Sequence, residues 1–401
     1  MMRKAALVPL LLAGAVQAAP LYAETIRVDA GENAQERVQT ALIDAKPGDV
    51  VELGEGRFEF TDGLSLDVDK VTVKGAGADK TILSFKGQKG AGEGLLVTSD
   101  DVVLRDFAVE DTKGDGIKSK GSTNIVFHKL RVEWTGGPKE TNGAYGVYPV
   151  TSTNVLIDQV SVRGASDAGI YVGQSKNIIV RKSDARYNVA GIEIENSYDA
   201  DVYSNIAAFN TGGILVFDLP NLPQMGGRNV SVFANYVGKN STPNFAPKGN
   251  IVATVPNGTG ILVMANKQVH IFDNVIEENG TANVMIAGYR APFEDANYTP
   301  TGSDIFVYRN KMGRAGWAPG PQFPGGTQLA AAMGGTLPPI IWDGTGSNVV
   351  INDEGGLSLG LTSPGADLAS ARPTPLEIDT ARTFTKPPRI KLPQAMEDAV
   401  K

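Results

Sequence analysis

One motif, an Asn or Asp followed by an alternating apolar stretch, recurs along this chain and restricts what it can fold into. It starts at Asp101, Asn124, Asn154 and Asn177 and continues, with variation, at Asp199, Asn229, Gln268, Asp304 and Asn348. A second element follows each anchor at Gly116, Gly146, Gly169, Gly191, Gly213 and Gly260, each succeeded by Ile or Val, with Asn283 in the same slot. Gly to the next anchor is 8 residues in five of seven cases, and anchor to Gly is 14 or 15 in five of seven. The unit is therefore 22 or 23 residues of short alternating strands broken by Gly and Asn. Strands this short cannot close a core alone, but stacked copies each bury an inward face on the next. No 3.6-residue period runs inside the repeats and the Leu signature of leucine-rich repeats is missing, so an all-β parallel solenoid is predicted.

Asn residues recur in two further registers, Asn205, Asn235, Asn274 and Asn310, and Asn188, Asn210, Asn240 and Asn279. At a solenoid corner an inward Asn can bond the backbone and the Asn of the next turn, about 4.8 Å away. Both registers are expected to be structural ladders. Solenoid ends need caps. Asn33-Ala-Gln-Glu36 has the pattern of a capping box, and Val38, Ala41, Leu42 and Ala45 form one apolar face, which predicts a short helix over residues 33–45 plugging the N-terminal end. At the other end, residues 356–401 read as a Pro-rich tail, extended, either laid along the solenoid or free for a partner. The β-helix itself is assigned to residues 24–355.

The N-terminus bears on compartment. Arg3 and Lys4 precede an apolar run from Ala5 to Val16 and then small residues, the pattern of a signal peptide over residues 1–23, with cleavage after Ala18 or Ala23. The run is too short to span a bilayer, so no membrane span is expected after cleavage and a periplasmic or secreted protein is predicted. Removing residues 1–23 moves the formal charge from −7 to −9, which argues against nucleic-acid binding. The chain has no Cys and only 2 His, so disulfides, thiolate or multi-His metal centres and Cys catalysis are excluded. Any chemistry rests on carboxylates, Lys, Arg, Tyr or Ser.

Anchored strands, Gly-Ile strands, Asn registers and N-terminal helix together resemble the right-handed, single-stranded parallel β-helix of the pectate-lyase-like superfamily over roughly residues 25–355. That superfamily contains polysaccharide lyases, uronan epimerases, glycosidases and structural proteins, so the resemblance implies a fold before a function. More narrowly, the chain is similar to exported bacterial β-helix repeat proteins encoded beside a c-type cytochrome, which implies a periplasmic cytochrome as partner. The Gly-His-Gly, Asn-Thr-Asp and Asp-Pro-His-Asp signatures of polygalacturonases and alginate epimerases are absent. Arg389-Ile390-Lys391 matches a polygalacturonase substrate motif but lies in the tail, outside the repeats, and is read as chance.

Spacing exceptions locate the loops. All insertions fall at the two corners flanking the Gly-Ile strand, which points to a groove over that strand's outer face. Alternation puts Lys118, Tyr148, Tyr171, Glu193, Leu215, Leu262 and Met285 on this face, with Lys120, Glu195, Phe217 and Met264 two residues further on. The loops 219–228, 238–258 and 287–303 are expected to cover the apolar half, leaving the groove open over Lys118, Tyr148, Tyr171 and Glu193. The insertion 134–145 is expected to overhang it, offering Trp134 and Tyr145 to stack on sugar rings. Lys118, Tyr148, Tyr171, Glu193 and Glu195 are the candidate catalytic residues; Lys120, Trp134, Tyr145 and Asp218 the candidate binding residues. Lysines and tyrosines suit a uronan lyase or epimerase, which needs a cation on the substrate carboxylate, a base and an acid. Glu193 and Glu195, with Asp218 nearby, suit glycoside hydrolysis. The predicted ligand is an acidic polysaccharide, to be bound and cleaved or epimerised; the alternative is a non-enzymatic scaffold. No cofactor is indicated. Asp199-Ala-Asp201 and Glu294-Asp295 offer oxygens to Ca²⁺ without a full ligand set, and alternation points His128 outward, far from His270.

Overall fold

The computed structural model describes residues 23–90, 92–378 and 383–401. The signal peptide assigned to 1–23 therefore lies, apart from Ala23, outside the described residues. Among the described residues two sheets of twelve strands and one of ten run the length of a parallel β-helix. Each central rung contributes one strand to each sheet. The first sheet runs from Thr25–Val28 to Ser347–Ile351 and contains the Asn-anchored strands. The second contains the Gly-Ile strands, such as Ala168–Gly173 and Ala190–Glu195, and the third short strands such as Arg131–Glu133. The last parallel rung of the second sheet is Gly356–Ser358, to which Thr374–Pro375 adds antiparallel.

The anchors have a backbone reason. Asn124, Asn154, Asn177 and Asn229 all stand at left-handed φ, between 57° and 62°, a conformation Asn tolerates better than most residues. They also form an outer ladder, Asn124 donating to Asp101 and Asn154 to Asn124, each at 2.7 Å. Both inner ladders are present. Asn205 reaches Asn235, Asn235 reaches Asn274, and Asn274 reaches Asn310, which ends on Asp353. Asn188, Asn210, Asn240 and Asn279 form the second. The Gly opening each second-sheet strand is explained by the same crowding: a Cβ on Gly191 would sit 2.6 Å from the Gly213 carbonyl and 2.7 Å from Asn210.

Helix α1 (Ala34–Asp44) plugs the N-terminal end with Val38, Ala41 and Leu42 buried. The capping box does not form: Asn33 is left-handed and its side chain caps nothing. The core behind α1 is filled by Phe58, Phe60, Phe85, Phe107 and Phe127 and further along by stacked Val and Ile. Trp134 belongs to this core. It is 5 % exposed, with its indole N–H on the Thr112 carbonyl at 2.7 Å. The expected overhang for sugar stacking is thereby corrected: Trp134 continues inward from Val132 along the same strand direction.

The tail is laid along the solenoid. It crosses the outer face of the first sheet as a strap ending in a short helix, α2 (Gln394–Asp398). Met396 packs on Val126, Leu156 and Ile179. Arg389 is engaged, its Nε 2.6 Å from Asp201, and Arg105 reaches the Ala399 carbonyl at 2.7 Å. Phe384 stacks on Tyr308 at 4.4 Å, extending the column Tyr203, Phe233, Phe272, Tyr308. His128 does point outward, yet it is fully buried, and its Nδ1 lies 3.2 Å from Asp158. Burial opposes ionisation of Asp158, yet hydrogen bonds from His128, Arg181 and Gln159 hold its carboxyl well below the usual range. With Asp201 bound to the strap and Asp199 accepting from Asn229, the Asp199–Asp201 pair is committed to structure. Among the described residues no group of three or more His, Asp or Glu is arranged to hold a metal, and no helix is long and apolar enough to cross a membrane.

Asn235→Ala tests the ladder. It leaves the Asn205 N–H and the Val202 carbonyl without the partners they have here, and each stranded buried group costs about 1–3 kcal/mol. Urea unfolding should show a loss of about 3 kcal/mol; a loss within error of zero would remove the ladder from the account of stability.

Candidate functional site

Strand register brings the predicted face together. Lys118 pairs with Tyr148, Tyr171 with Glu193, Glu193 with Leu215, and Glu195 with Phe217. The predicted open groove does not survive at Tyr171 and Glu193, which are 4 % and 1 % exposed. The insertion 238–258 folds over them through Val252 and Val255, which pack with Ala168, Tyr171 and Val189. Loop 287–303 covers Leu215 and Phe217 with Tyr298, whose hydroxyl donates to the Asp218 carbonyl at 2.5 Å. Residues 316–337 and 357–371 add to this cover, a contribution from distant sequence that the spacing rules did not anticipate.

Beneath the cover lies a carboxyl cluster of Glu193, Glu195 and Asp167. Asp167 was not among the predicted residues. It sits at the corner just before the strand Ala168–Gly173, outside the in-out alternation used to find the others. Its Oδ2 accepts from the Asn250 amide at 3.0 Å, which ties the 238–258 cover to the cluster. The Tyr171 ring lies across Gly173, where any Cβ would fall 2.4 Å from it, and its hydroxyl donates to Glu195 at 2.6 Å. Glycine at 173 is what lets the tyrosine reach the next rung.

Electrostatics follow from burial. Desolvation and the neighbouring charge of Glu195 push the Asp167 carboxyl up to about 7. Desolvation also lifts Glu195 to about 7, against the opposing hydrogen bond from Tyr171. Glu193 lies entirely under protein, and burial plus the charges of Glu195 and Asp167 raise it well above the carboxylate range. Neither Glu193 oxygen has a hydrogen-bond partner, so burial favours its protonated, neutral form. Burial thus raises all three carboxyls, with Asp167 and Glu195 brought to about 7.

Around it the predicted residues fall into distinct roles. Tyr145, Tyr148 and Tyr171 form a trio of rings with centroids 4.4–4.9 Å apart. Tyr145 reaches this trio from the start of a strand, and with Tyr148 it stays half-buried at the surface. Lys118 is already paired, 2.9 Å from Glu93 and 3.5 Å from Asp115, and stands over the Tyr148 ring. Lys120 is exposed. Asp218 is buried and accepts from the Gly226 and Gly227 N–H groups, so it fixes a turn.

With this geometry in hand, comparisons with known proteins identify the fold. A family model described as "Right handed beta helix region" matches residues 93–243. The A-module of mannuronan C-5 epimerase AlgE4 from Azotobacter vinelandii superposes with a TM-score of 0.51 at 15% identity, covering 79% of this chain and 90% of that one. DFA-IIIase from Arthrobacter chlorophenolicus A6, without its lid and in complex with GF2, superposes with a TM-score of 0.54 at 14% identity, covering 89% and 99%. The fold is a right-handed parallel β-helix. No curated protein matches the sequence. The narrower resemblance to a cytochrome-linked family, and with it a cytochrome partner, gains no support from these likenesses.

The raised carboxyls carry a stability signature. A group whose value is higher folded than unfolded stabilises fully below its unfolded value, near 4, and loses that contribution as pH rises through its folded value. For Asp167 and Glu195 the loss therefore falls between about 4 and about 7. Glu193→Gln, neutral in both states, should match wild type in melting temperature at pH 4 and exceed it at pH 8. Parallel melting curves across that range would count against a buried, protonated Glu193.

Proposed function

We propose that the protein acts on a carbohydrate and hydrolyses a glycosidic bond at the Asp167–Glu193–Glu195 cluster. One observation carries this reading: two carboxyls on one covered face, Asp167 and Glu195, are both brought to about 7, and that face continues into a row of tyrosine rings. Such a pair supplies a proton donor and a carboxylate at the same pH, the requirement of glycoside cleavage. In this scheme the Glu195 carboxyl protonates the glycosidic oxygen as the bond to the anomeric carbon breaks. The Asp167 carboxylate takes a proton from the water whose oxygen attacks that carbon. Glu193 is a positioning residue that holds Glu195 in place, and Tyr171 sets its acidity. Sugar rings would lie against Tyr145 and Tyr148, and entry requires Asn250 to leave Asp167.

The lyase or epimerase reading is weaker on the same chemistry. Lys118, the cation it needs, is already neutralised by two carboxylates. A face carrying Glu93, Asp115, Asp167 and Glu195 repels a polyuronate, so a neutral glycan suits it better than the acidic one expected from sequence. The structural neighbours, a mannuronan epimerase module among them, are in keeping with a carbohydrate ligand but share only the fold. The signal-peptide pattern favours a periplasmic or secreted location.

A panel of neutral and uronic polysaccharides tests the proposal, read as new reducing ends, as ultraviolet absorbance of unsaturated uronates, and by proton NMR for epimerised residues. Hydrolysis of a neutral glycan is expected, with Glu195→Gln reducing turnover by about 10²–10⁴-fold. Unsaturated or epimerised products would replace this reading with the lyase or epimerase one, and a full panel without turnover or binding would favour a scaffold. Activity should fall above pH 7 as Glu195 deprotonates. Tyr171→Phe removes a hydrogen bond that lowers Glu195, so the alkaline limb should move upward in that variant.

A further inference from the structure

Further along the same outer face, past the covered Leu215 and Phe217, the insertions part and leave a cavity of about 320 Å³. Its floor is Leu262, Met264, Met285 and Ile341, outward residues of successive second-sheet rungs, and Phe323 and Leu368 wall it. The size is that of a small-molecule site, and the paired methionines give a floor that adapts to different apolar shapes. Two polar features break the apolar lining. Gln322 lines the cavity with its Oε1 buried and without a hydrogen-bond donor, an arrangement that carries an unrecovered desolvation cost. Arg290, also lining it, is exposed and gives one N–H to the Ala366 carbonyl, but it has no carboxylate partner among the described residues. The cavity's acid, Asp343, is occupied, one oxygen by the Gly288 N–H and the other by the Thr345 N–H and hydroxyl.

We propose that this cavity binds an amphiphilic organic acid: an apolar body that fills the Met-Leu floor, a hydroxyl that donates to Gln322, and a carboxylate that meets Arg290. The hydroxyl satisfies the buried Gln322 Oε1 that lines this cavity without a donor, and the carboxylate gains a charge-assisted, fork-shaped partner at the surface. Ile251 and Thr254 line this cavity while the adjacent Asn250 holds Asp167, so one short segment borders both the cavity and the carboxyl cluster. The proposal does not depend on the glycan reading, because none of its residues belongs to that cluster.

The experiment uses the full chain and the fluorescence of 1-anilinonaphthalene-8-sulfonate as the probe. Saturable binding is expected, displaced by 10-hydroxydecanoate more tightly than by decanoate. Arg290→Ala should weaken both acids about tenfold, in line with the loss of a charge-assisted hydrogen bond. Gln322→Leu should abolish the preference for the hydroxy acid. Met264→Trp should block the cavity and lose the probe. Circular dichroism and melting temperature establish that each variant is folded, and if Met264→Trp is not, the Arg290 and Gln322 variants decide. Unsaturable probe binding, displacement indifferent to the hydroxyl in wild type, or affinities unchanged in Arg290→Ala would each overturn the proposal.

Discussion

Everything in this protein hangs on register between neighbouring rungs. Each strand bonds the one a rung before and the one a rung after, so a position in one turn dictates the environment of the same position in the next. The buried asparagines make that register expensive to leave. Each side-chain oxygen takes the backbone N–H and the amide of the previous asparagine, while each amide reaches back to a carbonyl further behind. A slip of one residue would strand several such groups in an apolar core. A backbone held that firmly can carry long insertions on one face without losing its course.

Rung order was legible because it is a local, repeated pattern. Spacing and alternation placed Lys118, Tyr148, Tyr171, Glu193 and Glu195 on one outer face, and strand pairing places them there too. Exposure was not legible, since it depends on segments far away in sequence. Residues 316–337 and the strap settle on faces that alternation can only describe as outward. Asp167 escaped notice because a corner residue has no in-out parity. Its signal was an acid directly before a second-sheet strand where the next two turns carry Val189 and Thr211. Trp134 was misplaced for a different reason. Its parity is that of the inward Val132, and the core continues through it into the start of the insertion.

The carboxyl cluster sets stability against chemistry. Three acids under an apolar cover are a poor way to stabilise a solenoid, and hydrophobic residues of similar size would serve the fold better. Leu215 and Phe217, one rung on at the same positions, show what the scaffold accepts there when only packing matters. Such a local departure from good packing is what functional sites tend to impose on the folds that carry them.

The strap has a further consequence. It is fastened by Met396 in its apolar notch, by Arg389 and the Ile390 N–H on Asp201, by Glu397 on Arg181 and by its Ala399 carbonyl on Arg105, and it adds no strand to the first sheet. Releasing it therefore breaks none of the bonds between rungs. Local opening of such a clasp would then leave the coil intact. Amide protons of the clasp would exchange with solvent long before those of the strands it crosses, and the aromatic column under Phe384 would meet water each time the clasp lets go.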